Sequence, residues 1–402
     1  MEENFELIIA IPSYMEADSI GYVVRQADKG LTKYYRNLKS VIVNVDNNSE
    51  DNTKDAFLNT HTSVEKKYIT TPKGVTGKGN NFYNLFKFAQ KYISSLKAVI
   101  VVDADLKSIT PEWIRFLADP IIKMKYEYVV PRYSRHQFDG TITNHICYPL
   151  LYGLLGEDMR QPIGGEFAFS PKFVEYCLRD KWSLTTRQYG IDIFMTFNAI
   201  TGKFKICEAG LGAKIHKASA PKLGPMFTQV VTTLFEMLLS IKSDWINLPL
   251  TRPKPKPLFG LKKFDPPQEL RIDIRQLKQQ LRDEYTQRKS LLKHYLNDYS
   301  GTLIERMFNI DYYMMDTLMW TQVLYQLLYW YDKGTKKTRQ DIIEALKPLY
   351  FTRSVTFDYQ SWRYNINYAE EVILEQAKAF ASQKPYLIGL YSMDGEKGKK
   401  CY

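Results

Sequence analysis

Cysteine and histidine are both scarce in this sequence, and neither forms a metal-binding pattern. The chain has 4 cysteines and 5 histidines among 402 residues. No two cysteines are separated by two residues, so the usual structural zinc sites and dithiol redox motifs are excluded. Four cysteines in so long a chain also do not form the disulfide framework of a small secreted domain. We therefore predict a reducing, cytoplasmic location.

Long uninterrupted apolar runs are absent as well. The N-terminal stretch MEENFELIIAIPS is acidic before it becomes apolar, whereas a secretory signal peptide begins with basic residues. The apolar run MFTQVVTTLFEMLLSI, at residues 226–241, contains Gln229 and Glu236 and is too short to cross a bilayer. We expect an amphipathic core helix here and no stable insertion into a membrane.

Motifs that read nucleic acid are also missing. The sequence has no RNP-type aromatic motif, zinc-finger pattern or helix-turn-helix signal. The net charge of +11 would suit an anionic partner, but a charged surface that only keeps the protein soluble explains it equally well. A composition of 45% hydrophobic and 25% charged residues is typical of a globular enzyme. We predict a small-molecule substrate and no nucleic-acid partner.

The first half of the chain alternates between strand and helix patterns. Apolar runs predict strands at FELIIAIPSY (5–14), KSVIVNVDNNS (39–49) and KAVIVVDADL (97–106). Helical patterns lie between them, near 19–29 and at 80–95. This alternation predicts an α/β fold with a mostly parallel, open, Rossmann-like sheet.

The second half of the chain has a different pattern. After the proline- and lysine-rich connector TRPKPKPLFG (251–260), apolar residues recur at helical spacing in Leu270–Leu296, Ile304–Lys333 and Arg339–Leu349. We predict a catalytic domain over residues 1–255 and an α-helical C-terminal domain over residues 256–402. The helices of the second domain offer a surface for a homo-oligomer.

Polar clusters follow three of the predicted strands, at the edge where open parallel sheets bind their ligands. These clusters are Pro12–Glu16, Asp46–Ser49 and Asp103–Asp105. Asp103 and Asp105 project to the same side of the strand, and two carboxylates there can hold Mg²⁺ or Mn²⁺ together with a diphosphate. The alternative interpretation is a polar turn that only ends the strand.

Two glycine-containing segments could complete such a site. TGKGN (76–80) is not a P-loop, because its spacing differs and no Ser or Thr follows the lysine. Its glycines would let an anion approach the backbone, and Lys78 would add a positive charge. QPIGGEFAFS (161–170) places two glycines before Glu166, either as a turn into a strand or as backbone that closes on a ligand.

Four further side chains are candidates for the chemistry. Asp192 lies between two isoleucines, where a carboxylate needs a partner or a function. His216 follows a short apolar strand, and an imidazole ligand beside aspartates favours Mn²⁺ over Mg²⁺. Arg135 could grip a carboxylate at two points, and the hydroxyl of Thr143 could bind a neighbouring oxygen. The alternative is a structural role for Asp192 and His216 and a solvated surface position for Arg135.

In the order of its segments, the chain resembles the retaining glycosyltransferases of the GT-A fold: IPSYMEADSI, VDNNS, TGKGN, VVDADLKSI, RYSRHQFDGTIT, QPIGGE, YGIDIFMTF and IHK. Within that fold it is most similar to the mannosylglycerate synthases and the related glucosylglycerate and glucosyl-3-phosphoglycerate synthases. The likeness covers residues 5–240, and KPLYFTRSVTFDYQSW (347–362) extends it more weakly into the helical part.

The resemblance implies a role for each candidate residue. The donor nucleotide would contact Pro12, Tyr14, Glu16, Asp46, Lys78 and Asp103. The donor sugar and the acceptor would contact Ile163, Gly164 and Gly165. A divalent metal, Mn²⁺ or Mg²⁺, would be bound by Asp105 and His216. The acceptor carboxylate would be held by Arg135 and Thr143, and groups at the reacting centre would be oriented by Asp192, Glu166 and Lys78.

The implied reaction transfers mannose or glucose, with retention, from GDP-mannose, GDP-glucose or UDP-glucose to D-glycerate. Its product would be mannosylglycerate or glucosylglycerate, a compatible solute. A glucosyl-3-phosphoglycerate synthase is one alternative, but Ala218 stands where the phosphoglycerate-using relatives carry asparagine, which favours free glycerate. A second alternative is an inverting, membrane-associated transferase that acts on a lipid phosphate, although DADLKSI differs from the DADLQ continuation expected there.

Overall fold

The computed structural model describes residues 4–217, 223–249, 252–267, 269–270, 273–362 and 364–399, which form two compact units. The first unit comprises Met1–Arg135, Arg160–Leu234 and Lys256–Gln268. The second comprises His136–Met159, Phe235–Pro255 and Glu269–Tyr402. Each unit contains chain from both sides of residue 255, and the predicted catalytic domain 1–255 and helical domain 256–402 stay a prediction.

The first unit is built around an open sheet, whose described strands are β1 Leu7–Ser13, β2 Ser40–Asp46, β3 Glu65–Thr70, β4 Ala98–Val101, β5 Tyr128–Ser134, β6 Phe167–Phe169, β7 Ile206–Ala213 and β8 Leu258–Gly260. Their spatial order is β3-β2-β1-β4-β6-β5-β7-β8. Only β6 runs antiparallel to its neighbours within this described sheet. The predicted mostly parallel α/β fold is confirmed.

The central strands form where the sequence is continuously apolar. Every residue of β1, β2 and β4 is buried, as expected for parallel strands covered on both faces. In the β1–β2 register Leu7 pairs with Ser40 and Ser13 pairs with Asp46, while β4 begins level with β1. The carboxyl ends of these strands therefore lie at one edge, where the predicted polar clusters follow them.

Helices account for most of the remaining described chain. In order they are α1 Ile20–Tyr34, α2 Thr53–Asn59, α3 Lys78–Gln90, α4 Pro111–Met124, α5 Tyr148–Leu150, α6 Pro171–Arg179, α7 Ile191–Thr201, α8 Leu223–Ser240, α9 Lys242–Asn247, α10 Ile274–Tyr295, α11 Asp298–Asn309, α12 Thr317–Lys333, α13 Lys336–Ser361, α14 Ile366–Ser382 and α15 Lys384–Lys399. The predicted helices near 19–29, 80–95 and 226–241 are confirmed as α1, α3 and α8. None of the described helices combines the length and apolar character needed to span a membrane.

Side-chain caps explain where the helices of the second unit begin. The first free N–H groups of α10 to α14 donate to a side-chain oxygen of the residue just before each helix, namely Asp273, Asn297, Asp316, Thr335 and Asn365. The cap at Asp316 also corrects one prediction. The helical pattern predicted over Ile304–Lys333 is divided between α11 and α12, because a new helix starts after Asp316.

The segment KPLYFTRSVTFDYQSW forms the second half of α13 and supplies polar groups to the core of the second unit. The side chain of Arg353 is fully buried there. Its Nε donates to Gln376 Oε1 at 2.6 Å and its Nη1 donates to the carbonyl of Met315 at 3.0 Å. Gln376 in turn donates to the carbonyl of Asn144 at 2.8 Å. These bonds join α13, α14 and the chain just before α5.

Asp358, on the same helix, should make the second unit less stable as pH rises. Its carboxyl is 3% exposed, and burial raises its pKa to about 7. Because the folded pKa lies above the unfolded value of about 4, the contribution of this carboxyl to stability is greatest below pH 4 and is lost as pH rises to about 7. We expect Asp358→Asn to raise the free energy of unfolding by about 2–4 kcal/mol at pH 8 and to have little effect at pH 4. Urea unfolding at both pH values checks this, and an equal difference at the two would contradict it.

Candidate active site

A cavity of about 370 Å³ opens in the first unit and is lined by residues that follow β1, β2, β4 and β5. Most of the residues predicted for the site line it: Pro12, Tyr14, Glu16, Lys78, Asp103, Asp105, Arg135, Ile163, Gly164, Gly165, Asp192 and His216. The carboxyl ends of parallel strands bring these distant segments together, as the sequence predicts. Their individual roles toward a ligand stay predictions.

Three predicted site residues are not among those that line the cavity. Asp46 is buried and accepts hydrogen bonds from Ser13 Oγ and from the N–H of Ser49, both at 2.7 Å, so it fastens the ends of β1 and β2. Glu166 is fully buried. Thr143 belongs to the second unit and is 2% exposed. A direct ligand contact by these three residues stays a prediction.

Five side chains of alternating charge are linked in a row along one wall of the cavity, and four of them line it. Lys78 Nζ lies 3.1 Å from Asp103 Oδ1 and 3.4 Å from Asp192 Oδ1. Lys214 Nζ lies 3.3 Å from the other oxygen of Asp103, and it donates to both oxygens of Glu166 at 3.0 Å. The order is therefore Asp192, Lys78, Asp103, Lys214, Glu166. Every carboxylate in this row has a cationic neighbour, as buried charges require.

Burial and ion pairing shift the pKa values of these charged side chains in opposite directions. Burial would lower the pKa of Lys78, but the adjacent carboxylates of Asp103 and Asp192 outweigh it and raise that pKa. Burial would raise the pKa of Asp103, but Lys78 and Lys214 hold it below its ordinary range. Burial raises the pKa of Glu166 to about 8 and also raises the pKa of Asp192. Near neutral pH, Lys78 is therefore charged, and the two end carboxyls bind a proton more tightly than Asp103 does.

Lys214 is a central residue of the site that sequence reasoning did not find. It is 8% exposed, and besides its two carboxylate partners it donates to the carbonyl of Gly164 at 2.8 Å. Its only sequence signal is its place immediately after β7 and two residues before His216. A lysine at a strand end is usually solvated, so burial of this one depends on contacts that are far away in sequence.

Asp105 and His216, predicted to bind the metal, come from two segments that are hydrogen-bonded to each other. The N–H of Lys107 donates to the carbonyl of Ile215 at 2.8 Å, and the N–H of Ile215 donates to Ser108 Oγ at 3.0 Å. Both predicted ligands line the cavity. One carboxylate and one imidazole fit Mn²⁺ or Mg²⁺ when phosphate oxygens complete the coordination. Consistent with so small a donor set, the described residues contain no group of three or more His, Cys, Asp or Glu side chains that could hold a metal.

One glycine of TGKGN, Gly79, has a different role from the predicted one, whereas Gly77 lines the cavity. A Cβ on Gly79 would collide with the carbonyl of Thr186. The N–H groups of Gly79 and Asn80 donate to the carbonyls of Gln188 and Arg187, both at 3.0 Å. Protein therefore occupies the space beside Gly79, and the predicted approach of an anion to this glycine is wrong. The glycine allows close packing that aims Lys78 into the cavity wall.

Gly165, in contrast, is required by the cavity wall itself. Its φ is +95°, and a Cβ there would collide with Asp103 Oδ2 and lie 3.0 Å from Lys214 Nζ. We expect Gly165→Ala to displace Asp103 and to lower the rate of the sugar transfer that the resemblance implies about 10- to 100-fold, because catalysis depends on such positions to about 1 Å. Gly74→Ala is the matched control, since Gly74 has a φ of +80° but nothing within 4 Å of its Cβ position. Equal losses of activity in the two variants would contradict a specific effect on Asp103.

Comparison with known families gives a match over the first part of the chain. Residues 8–172 match the model of the family described as Glycosyl transferase family 2. This part of the chain is similar to the glycosyltransferases of that family, and together with the mostly parallel open sheet the match supports the GT-A fold. The matched residues include Lys78, Asp103, Asp105 and Gly165, whereas Asp192 and His216 follow the matched region along the chain.

Solved structures of glucosyl-3-phosphoglycerate synthase from Mycobacterium tuberculosis are also similar to the chain. The complex with Mn²⁺, UDP and phosphoglyceric acid is 20% identical over 58% of this chain and 78% of that chain, with a TM-score of 0.45. The complex with Mg²⁺ and UDP is 21% identical over 58% and 79%, with a TM-score of 0.46. No curated protein sequence matches the chain. The assignment of the GT-A domain rests on the family match and on the sheet described above.

Proposed function

We propose that the protein is a metal-dependent, retaining glycosyltransferase that transfers mannose or glucose from a sugar nucleotide to D-glycerate. The observation that carries this proposal is one cavity of a GT-A domain lined by Lys78, Asp105, His216 and Arg135. Those side chains match the chemistry of the two substrates. The first three suit a diphosphate with a divalent metal, and the arginine suits a carboxylate.

On the donor side, the leaving nucleoside diphosphate gains negative charge as the anomeric C–O bond breaks. Lys78 stays protonated beside Asp103 and Asp192, and a fixed positive charge stabilises the developing anion. Asp105 and His216 would hold the divalent metal, Mn²⁺ or Mg²⁺, which supplies Lewis-acid stabilisation of the same anion. GDP-mannose, GDP-glucose and UDP-glucose are the candidate donors.

On the acceptor side, the guanidinium of Arg135 would hold the carboxylate of glycerate through two parallel hydrogen bonds. Asp192 would accept a hydrogen bond from a sugar or acceptor hydroxyl, and Glu166 would act through Lys214 and not by direct contact. Both contribute orientation. The acceptor hydroxyl attacks the face that the diphosphate leaves, and its proton passes to the departing phosphate oxygen. No protein nucleophile is needed for retention in this mechanism.

A matrix of donors and acceptors tests the proposal directly. The purified protein is incubated with Mn²⁺ or Mg²⁺, each candidate donor, and either D-glycerate or 3-phosphoglycerate, and the anomer of the product is determined by NMR. We expect a retained glycosidic product with D-glycerate. Product with 3-phosphoglycerate alone would favour the glucosyl-3-phosphoglycerate alternative, and an inverted product would favour the lipid-phosphate type. No product in any combination would contradict the proposal.

Arg135→Lys should separate acceptor binding from donor binding. Lysine keeps the positive charge but loses the planar fork that matches a carboxylate. We expect the KM for D-glycerate to rise about tenfold, equivalent to about 1.4 kcal/mol, with the KM for the donor unchanged. Steady-state kinetics with each substrate varied in turn checks this. An equal rise in both KM values would place Arg135 in a general structural role.

Three finer predictions, on the acceptor, the cellular location and the oligomeric state, belong to this proposal. The preference for free glycerate rests on Ala218, which lies outside the described residues. The cytoplasmic location and the homo-oligomer are expectations from the sequence. Size-exclusion chromatography with light scattering tests the oligomer, for which the helical C-terminal part of the chain remains the proposed surface.

A further inference from the structure

Two asparagines in the cavity wall carry buried oxygen atoms that the proposed mechanism does not use. Asn47 follows β2 and Asn81 lies in the first turn of α3, and both line the cavity. Their side chains are 5% and 2% exposed. The Oδ1 atom of each is buried and has no hydrogen-bond partner among the described residues. Buried acceptors are nearly always satisfied in folded proteins, so two together in one cavity indicate a ligand that donates hydrogen bonds.

Both asparagines are fastened to the same atom. The carbonyl oxygen of Ser13, at the end of β1, accepts from the backbone N–H of Asn47 at 3.0 Å and from Nδ2 of Asn81 at 3.3 Å. The second bond orients the Asn81 amide, because a donating Nδ2 leaves Oδ1 as the group that needs a partner. The Asn81 amide therefore lies close to the backbone of Asn47, and each side chain offers an acceptor.

A third lining residue also offers an acceptor. Glu16 lines the cavity, and its carboxylate accepts from Lys217 Nζ and from Ser19 Oγ, both at 2.7 Å. A carboxylate can accept further hydrogen bonds but donates none. Lys78, which is proposed to contact the diphosphate, precedes Asn81 by three residues and lies on the same face of α3. Asn47, Asn81 and Glu16 therefore each offer an acceptor to the cavity that Lys78 also lines.

A nucleotide base that satisfies both asparagine oxygens through one edge must carry two adjacent donors. The guanine edge presents N1–H beside the 2-amino group. Uracil presents a single N3–H between two carbonyl oxygens, and the amino groups of adenine and cytosine each lie beside an unprotonated ring nitrogen. We propose that Asn47 and Asn81 select a guanine nucleotide as the donor by accepting hydrogen bonds from N1–H and the 2-amino group. This inference rests on the proposed function of the same cavity as a sugar-nucleotide site.

Inosine diphosphate supplies the decisive comparison, because it differs from GDP only by the missing 2-amino group. Affinities of the full chain for GDP, IDP, UDP and ADP are measured by calorimetry with Mn²⁺ present. We expect GDP to bind about tenfold more tightly than IDP and at least tenfold more tightly than UDP or ADP, since a site built around hydrogen bonds rejects ligands that leave its polar groups unpaired.

Variants then locate the contacts. In Asn47→Ala and Asn81→Ala the preference for GDP over UDP should fall about tenfold, and in one of them the GDP-to-IDP ratio should approach 1. Asn47→Asp keeps an acceptor oxygen and should retain the preference, which separates lost recognition from lost folding. Asn80→Ala is the matched control, because the Asn80 side chain bonds to the carbonyl of Thr76 and is not among the lining residues.

Equal affinity for GDP, IDP and UDP would overturn the inference, and so would an unchanged preference in both alanine variants. In either case ordered water, not a base, would satisfy the two oxygens. Hexose transfer without a base preference would leave the proposed function standing while the inference fails. Failure of every nucleoside diphosphate to bind would overturn both.

Discussion

Replacing Asp105 by alanine should abolish hexose transfer while the protein remains folded. The carboxylate lies after β4 at the cavity wall, and no hydrogen bond or ion pair of it is found among the described residues. Its loss therefore leaves no buried partner unsatisfied. Without one of the two proposed metal ligands, the diphosphate would lose its Lewis-acid stabilisation, and we expect the rate to fall at least about 10³-fold.

Two measurements separate this role from a general loss of structure. Calorimetric titration of Mn²⁺ into the protein with GDP present should show the metal affinity lost in Asp105→Ala, while the thermal unfolding temperature stays within a few degrees of the parent. Lys107→Ala is the control, because its exposed side chain lies two residues further on and only its backbone N–H bonds to Ile215. An Asp105→Ala protein that transfers hexose at the parent rate would overturn the metal assignment.

The sheet and the location of the site follow from local sequence patterns. Apolar runs long enough to be buried on both faces predict β1, β2 and β4, and parallel pairing brings their carboxyl ends to one edge. Asp103 and Asp105 could be predicted at the cavity for this reason alone. The segment order that resembles GT-A transferases adds Asp192 and His216, which lie on elements far along the chain.

The remaining features depend on contacts between segments that are distant in sequence. Asp46 has the same local signature as Asp103, but its partners at the end of β1 and in the following loop occupy it. Gly79 resembles an anion-binding glycine until the chain at Thr186 fills the space beside it. Lys214 and Asn81 belong to the site because the folded chain buries them against the cavity, and neither lies in a sequence pattern that predicts this burial. A residue type and its spacing predict which side of an element it occupies, but not what packs against it.

Lys214→Met should strongly destabilise the first unit. The ammonium is nearly buried and donates hydrogen bonds to Glu166, Asp103 and the carbonyl of Gly164. Methionine fills a similar volume but leaves a fully buried Glu166 and a carbonyl without a partner. Removing one member of a buried ion pair typically costs about 3–5 kcal/mol. Because burial raises the pKa of Glu166 to about 8, we expect this fall of the urea midpoint in full only above pH 8, where Glu166 is ionised, and transfer to be lost with it.

The double variant Glu166→Leu/Lys214→Met makes this prediction specific. Replacing both members of a buried ion pair by apolar residues of similar volume is often nearly neutral, so most of the lost stability should return. Activity should not return, because Asp103 would still lack the lysine that holds one of its two oxygens and Lys78 would be its only cation. Urea unfolding and transfer rates for the two single variants and the double variant complete the cycle. If the double variant is no more stable than Lys214→Met, the loss arises from packing and not from an unpaired charge; if it regains activity, Lys214 does not position Asp103.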